Sequence, residues 1–403
     1  MKYIVILGDG MADEPIAEFG NKTVLDVANK PNIDFMSKNG ELGMVKTVPD
    51  GLKPGSDVAN LSVMGYDTGI CYTGRSPLEA ASIGVELSDD DVTFRTNLVT
   101  LSDDEVFENK TMVDYSSGEI STAESTELIK AVEDALHTEF AHFYAGVSYR
   151  HLLVWKGGST NVELTPPHDI SDQKITNYLP KGENADILLS MIKRSGEILA
   201  NHPINKKRIA EGKNPANSIW VWGEGRKPQL ENFYKKTGLR ASVISAVDLI
   251  KGIAVCADMN SIDVDGACGT YKTNFDGKAK AALDTLVDGA DLVYIHMEAP
   301  DECGHQGDYK NKKLSVELID EKVVGFLRSE LDKRNIDYRM LIMPDHPTPI
   351  AKKTHVSDPV PYVIYDSTKT NNASGLAYSE ANAKTTGIFE PVGHNLMNKF
   401  ING

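Results

Sequence analysis

Short apolar runs alternate with amphipathic stretches along the chain, at the spacing of strands followed by helices. Residues 3–7 are apolar and β-branched and end at Gly8-Asp9-Gly10, which reads as a buried first strand. Residues 23–37 carry Val24, Val27, Ala28, Ile33 and Met36 at helical spacing, with Pro31 expected to break or restart the helix. A short strand at 42–48 and a short helix at 57–64 follow. From about 80 to 215 the rhythm changes to alternating strands (93–101, 151–156) and helices (121–136, 185–201). From about 217 the first rhythm returns, with strands at 218–222, 241–245, 254–256, 291–297, 339–343 and 361–365 and helices at 278–287 and 312–331. The lysine-rich segment 205–213 reads as a solvated loop.

Strands alternating with helices predict an α/β fold with a mostly parallel sheet flanked by helices. The change of rhythm predicts a discontinuous core, 1–75 and 216–403, with an inserted α+β lid domain at 76–215. At 403 residues the chain is long enough for two domains. No run approaches the roughly 18 apolar residues of a membrane span, and the amino terminus lacks the regions of a signal peptide, so a cytoplasmic location is expected. The four cysteines are scattered and form no C-x-x-C pair, which argues against a disulfide framework or a zinc knot.

The formal charge of −16 argues against nucleic acid or an anionic membrane as partner. An anionic substrate would then need positive potential supplied locally, by metal ions and a few arginines. The oligomeric state is left open.

The candidate chemistry collects at strand ends. Asp9 follows the first strand; Asp301 and His305 follow the strand at 291–297; Asp345 and His346 follow that at 339–343; His355 lies just beyond. Ligands bind outside the carboxyl ends of strands in open parallel sheets. Carboxylate and imidazole without clustered thiolate suit Mn, Zn, Fe or Co. So many ligands suit two ions about 4 Å apart, the spacing that clamps a phosphoryl group. Each residue also has a plainer reading: Asp9 as a helix cap or turn former, a histidine as hydrogen-bonded core, Asp-x-x-x-His as a capped loop. Ser56, in Lys53-Pro54-Gly55-Ser56-Asp57, stands at a predicted helix start, where Gly55 permits a tight turn and the dipole favours negative charge. It reads as an N-cap or, with metal assistance, as a nucleophile.

Other signatures fail. Residues 266–273 approach a phosphate-binding loop, but Tyr271 replaces its second glycine; residues 8–13 lack the third glycine of a dinucleotide fingerprint; Pro54-Gly-Ser-Asp-Val58 is not a hydrolase elbow.

Asp9-Gly10, Ser56, Asp301-x-x-x-His305, Asp345-His346 and His355 together resemble the alkaline phosphatase superfamily. With residues 52–61, 72–80, 94–98, 149–153 and 214–219 added, the chain resembles the archaeal-type cofactor-independent phosphoglycerate mutases over nearly its whole length. The resemblance implies one ion held by Asp301, His305 and His355 and another by Asp9, Ser56, Asp345 and His346, with Mn usual and Mg, Co or Zn as substitutes. It implies that Ser56 takes the phosphoryl group of 3-phosphoglycerate and that the retained glycerate accepts it back at the 2-hydroxyl. Arginines of the lid are expected to grip carboxylate and phosphate. Arg150 is the first candidate, because a planar fork suits those anions; His151, Arg208, Arg95 and Arg75 follow, with Lys251 from the core. Closure of lid on core is expected to exclude water, which would spare a phosphoserine from hydrolysis. One stretch departs from better-known members: Pro347-Thr-Pro-Ile350 follows Asp345-His346. Bacterial relatives of this pattern include homoserine kinases, so a kinase on the same metal core is the alternative, and a non-catalytic metal-binding scaffold is a third reading.

Overall fold

The computed structural model describes residues 1–369 and 373–403 and divides the chain into two compact units, Met1–Tyr72 with Gln229–Gly403, and Thr73–Pro228. The insertion thus runs 73–228 where the sequence pattern predicts 76–215. Among the described residues, no helix is long and apolar enough to cross a membrane.

The discontinuous unit is built on an eight-stranded sheet in the order Asn260–Ile262, Ala241–Ile244, Leu292–Met297, Lys2–Gly8, Tyr338–Met343, Val360–Asp366, Glu41–Val45, Phe389–Glu390. The first strand of the chain lies mid-sheet, pairing in parallel with Leu292–Met297 on one side and Tyr338–Met343 on the other. Among the described residues, Val360–Asp366 alone runs antiparallel to both its neighbours in this sheet. The link that precedes it holds no helix to make the crossover that a parallel neighbour needs. This reversal brings the segment carrying His355 to the edge where the parallel strands end.

Both sheet faces are covered, as a parallel sheet requires. Ile4, Ile6, Val293, Ile295, Met340 and Ile342 pack with Phe275, Leu283, Val316 and Leu327 from helices on one face. On the other, Tyr3 meets Phe400 edge to face, and the Tyr294 hydroxyl donates to Asn60 Oδ1 (2.6 Å) on helix Ser56–Val63.

Pro31 restarts the helix as the spacing predicts, giving Val24–Val27 and then Pro31–Asn39 with proline in its first turn. The predicted helix at 312–331 is two α-helical stretches, Tyr309–Leu318 and Phe326–Lys333, joined by a wider π-helical turn, Ile319–Gly325. That turn presents buried Asp320, whose Oδ1 accepts the Ile33 amide (2.6 Å), an otherwise unpaired donor at the start of Pro31–Asn39.

Three sequence expectations are corrected. Residues 254–256 are the end of helix Asp248–Cys256; Ile250, Ile253 and Ala254 give it a buried face, and the strand comes later, at Asn260–Ile262. Residues 205–213 are mostly helix, Pro203–Ala210, anchored by buried Asn205 and Arg208. Residues 218–222 belong to the inserted unit: strand Ser218–Arg226 pairs antiparallel with Asp91–Leu101. Ile219, Trp220 and Val221 are buried on both faces, and such a run does not reveal which sheet it joins.

The inserted unit is an antiparallel sheet centred on Asp91–Leu101, flanked by Ser218–Arg226 and Arg150–Lys156. Helices Thr122–Leu136 and Ala185–Ala200 cover one face through Leu128, Val132, Leu188 and Ile192, packed with Phe94, Leu153 and Val221.

Candidate active site

Asp9, Asp345 and His346 follow the carboxyl ends of strands Lys2–Gly8 and Tyr338–Met343, and Asp301 and His305 stand on the helix that follows Leu292–Met297. The Asp9 amide extends the parallel ladder by donating to Met297 O (2.9 Å), which sets the carboxyl just beyond the strand end. Gly10 then turns with φ +62, and a Cβ there would lie 2.5 Å from Thr348 Oγ1 and 2.7 Å from Asp301 Oδ1, so only glycine fits between them. Asp301 and His305 share a face of helix Ala299–Gln306, four residues apart.

Ser56 is the first residue of helix Ser56–Val63. Gly55 before it has φ −177, an extended conformation open to any residue, so turn freedom is not its purpose; a Cβ there would crowd Asp57 Oδ1 at 2.8 Å. Ser56 Oγ lies 3.4 Å from Asp9 Oδ2 and 3.2 Å from His346 Nε2. Asn60, one turn along, donates to both Ser56 O (2.8 Å) and Asp345 Oδ2 (2.8 Å), tying the helix to the aspartate. Asp345 Oδ1 accepts the amides of Gly10 (3.1 Å) and His346 (2.9 Å).

Two ligand triads result, Asp9/Asp345/His346 and Asp301/His346/His355; within each, the candidate donor atoms all lie within 4.8 Å of one another. His305 adjoins the second triad, with Nε2 3.2 Å from Asp301 Oδ2 and 2.9 Å from His355 Nε2. All seven residues read from the sequence as metal ligands, Ser56 included, therefore stand at one strand edge.

The electrostatics call for a cation. Burial, then the nearby carboxylates of Asp345, Asp301 and Glu298, push Asp9 well above the usual carboxylate range. Burial alone would also raise Asp301, but the imidazoles of His305 and His355 outweigh it and hold Asp301 well below that range. The Asp301 carboxylate in turn lifts His305 to about 9. Asp9 Oδ1 is buried and has no hydrogen-bond partner, a costly state that a positive ion would relieve. The donor set fits divalent cations that take oxygen and imidazole.

Several contributors escaped the sequence reading. His296, in strand Leu292–Met297, is fully buried; its Nε2 sits 3.0 Å from Asp9 Oδ2 without a hydrogen-bond partner. Burial pushes it down to about 3, so it stays neutral beside Asp9. A lone imidazole in an otherwise apolar strand that ends at the ligand edge was the available signal. Buried Lys312 donates from Nζ to Asp13 Oδ2 (2.6 Å), Thr348 O (2.8 Å) and Ala12 O (3.2 Å), joining the loop after Asp9 to the loop after His346. Nothing in sequence distinguishes it from a surface lysine.

The lid candidates separate into groups. Arg95 lies on one face of the antiparallel sheet, and Arg150, whose register partner is Asn97, shares that face. The Arg95 guanidinium stacks 4.2 Å from the Trp222 ring and pairs through Nε with Glu79 Oε2 (3.0 Å); Arg75 takes the other oxygen of Glu79 (3.0 Å). Burial lowers Arg95 below the usual arginine range; Glu79 opposes that shift, and Arg75 and Arg150 add to it. Arg150 is exposed, 5.2 Å from the Tyr149 ring.

His151 points to the opposite face, 2% exposed, and accepts the Gly146 amide at Nδ1 (3.1 Å). Arg208 is buried as a structural clamp on Asn214 O (3.0 Å), Glu124 Oε2 (2.8 Å) and Ser117 O (2.5 Å). The structure does not bring these two to the face of Arg95 and Arg150. Lys251, on helix Asp248–Cys256, pairs with Asp263 (2.6 Å).

Comparison with known proteins points the same way. Residues 37–205 match the family model described as 2,3-bisphosphoglycerate-independent phosphoglycerate mutase. The chain is 50% identical over 397 residues to a probable 2,3-bisphosphoglycerate-independent phosphoglycerate mutase of Geobacter sulfurreducens, covering 98% of each. It is 49% identical to the 2,3-bisphosphoglycerate-independent phosphoglycerate mutase of Methanosarcina barkeri, covering 95% of each. Among solved structures, the PH0037 protein of Pyrococcus horikoshii superposes with a TM-score of 0.84 at 28% identity, covering 100% of this chain and 97% of that one. The cofactor-independent phosphoglycerate mutase of Thermoplasma acidophilum shares the fold, with a TM-score of 0.69 at 24% identity, covering 100% of this chain and 99% of that one.

Proposed function

Since the chain belongs to the 2,3-bisphosphoglycerate-independent phosphoglycerate mutase family, we propose that it interconverts 3-phosphoglycerate and 2-phosphoglycerate in the cytoplasm, with Ser56 as the phosphoryl carrier beside two divalent ions. The observation that carries this reading is the position of Ser56 Oγ, 3.2–3.4 Å from two candidate metal ligands at the start of a helix.

Asp301, His305 and His355 would hold one ion, and Asp9, Ser56, Asp345 and His346 the other, with Mn the first choice and Mg, Co or Zn as substitutes. The ions would neutralise phosphoryl charge and make a serine oxygen nucleophilic at neutral pH. Ser56 Oγ attacks phosphorus as the bond to the 3-oxygen of glycerate breaks. The proton lost by the serine is balanced by the one gained at the freed hydroxyl. The return step forms the bond to the 2-oxygen and restores Ser56. The retained glycerate needs its carboxylate held in the meantime, and the guanidinium groups of Arg95 and Arg150 are suited to that. Asn60 and Gly10 keep Asp345 oriented throughout, and His296 stays neutral behind Asp9.

The test is enolase-coupled turnover of 3-phosphoglycerate by the purified chain with Mn²⁺ and no added 2,3-bisphosphoglycerate. Turnover that stops on chelation and returns with Mn²⁺ is expected. A requirement for the bisphosphate would overturn the reading, and ATP consumption dependent on homoserine, without mutase turnover, would replace it with a kinase.

A further inference from the structure

The stretch Pro347-Thr-Pro-Ile350 places a hydroxyl between the two ligand groups. Thr348 is fully buried. Its Oγ1 lies 2.5 Å from Asp301 Oδ1 and 3.3 Å from His346 Nδ1. These two residues belong to different ions in the two-ion reading, on which this inference rests.

A hydroxyl has one proton to give. Asp301, with His305 and His355 also directed at its oxygens, is the acceptor there, so the Thr348 proton is committed to Asp301 Oδ1. Thr348 Oγ1 can then meet His346 Nδ1 only as an acceptor. The bond exists only if Nδ1 carries the hydrogen of the neutral ring, which leaves Nε2 with its lone pair. Nε2 is the nitrogen 3.2 Å from Ser56 Oγ, 3.4 Å from Asp345 Oδ2 and 3.6 Å from Asp9 Oδ1. The opposite tautomer would set two lone pairs against each other in a buried site, at the cost of an unmade hydrogen bond.

Thr348 is held from every side. Pro349 restrains its backbone to extended conformations. Its carbonyl accepts the Lys312 ammonium (2.8 Å). Gly304 of helix Ala299–Gln306 packs so closely that a Cβ there would lie 2.5 Å from that carbonyl oxygen. Gly10 stands as close to the hydroxyl itself.

We propose that Thr348 is a positioning residue for both ion sites at once: its single hydroxyl orients the Asp301 carboxylate and sets His346 with Nε2 bare toward Ser56. Groups behind metal ligands typically change affinity by about 10–100-fold when removed. Thr348→Val keeps the shape and loses the hydroxyl; Thr348→Ser keeps the hydroxyl.

The test titrates Mn²⁺ calorimetrically into chelator-stripped full-length protein. Wild type should bind two ions, Thr348→Val should bind both about 10–100-fold more weakly, and Thr348→Ser should recover most of the loss. Nitrogen NMR of the metal-free wild type should show His346 protonated at Nδ1, a result that does not depend on any variant folding. Unchanged binding by Thr348→Val, equal loss in Thr348→Ser, or a proton on Nε2 of His346 would each overturn the proposal. Wild-type protein that binds no Mn²⁺ would remove the two-ion reading and this inference together, whereas two-ion binding indifferent to Thr348 would remove only the latter.

Discussion

Lys312→Met is the sharpest probe of how the site is held. The side chains of Lys312 and Asp13 are 0% and 1% exposed and pair at 2.6 Å. Methionine preserves the stem and removes the ammonium with its three hydrogen bonds. Asp13 keeps the amides of Glu14 (2.9 Å) and Ile350 (3.2 Å) but becomes a buried carboxylate without a counter-charge. Breaking one side of such a pair costs about 3–5 kcal/mol. Asp13→Asn in the same chain removes the stranded charge and leaves an amide oxygen for the two backbone donors, so the double variant should recover about half of that cost. The readout is amide exchange in peptides from Lys2–Gly8 and Tyr338–Met343, measured on the metal-free protein. Exchange limited by opening should quicken about 10²–10⁴-fold in Lys312→Met, at one decade per 1.4 kcal/mol. Mn²⁺ affinity should fall with it, because Ala12 and Thr348 belong to the loops that carry the ligands. A loss below about 1 kcal/mol, or a double variant that costs the sum of the singles, would refute the claim that this pair clamps the site.

Three further outcomes follow from the geometry. Ser56→Ala should lower kcat by about 10⁴-fold or more while still binding Mn²⁺, and residual turnover above about one per cent would point to another nucleophile. His305, raised to about 9, holds its proton near neutrality in the metal-free protein, and Asp9, shifted upward by burial and neighbouring carboxylates, keeps its proton to higher pH than a free aspartate does. Mn²⁺ must displace them, so its apparent affinity should climb with pH up to about 9, with proton release visible by calorimetry in buffers of different ionisation heat; a flat profile would contradict this. Buried His151 is pushed down to about 3, so the unfolded chain takes up its proton at higher pH than the folded one, and stability should drain by about 1.4 kcal/mol per pH unit as pH falls from about 6.5 toward 3. His151→Asn, which keeps an acceptor for Gly146, should move the acid-unfolding midpoint downward.

The strand-end positions of Asp9, Asp301, Asp345 and His346 were legible because the carboxylate or imidazole follows an apolar run, and a mostly parallel sheet gathers such ends at one edge. His355 was legible as a residue type near that group; that its segment enters the reversed strand Val360–Asp366 was not, since strand direction is set by the missing crossover helix. His296 was hidden by its apolar neighbours. Thr348 and Lys312 were hidden because a threonine between prolines and a lysine on a helix have dozens of ordinary uses, and only long-range packing gives them partners. The sheet membership of 218–222 failed for a related reason: burial on both faces erases the alternation that would have identified an antiparallel strand.

The central place of Lys2–Gly8 also bears on biogenesis. Lys2–Gly8, translated before the other strands of its sheet, must pair with Leu292–Met297, about 290 residues further on, and with Tyr338–Met343, about 340 further on. At about 5–20 residues per second that wait is on the order of tens of seconds, during which an apolar strand has neither neighbour. The inserted unit is contiguous: its central strand Asp91–Leu101 finds both neighbours, Arg150–Lys156 and Ser218–Arg226, within Thr73–Pro228, so its sheet can close before either partner of Lys2–Gly8 has been made. Nascent chains stalled between residues 228 and 292 should therefore be the ones that most engage holding chaperones.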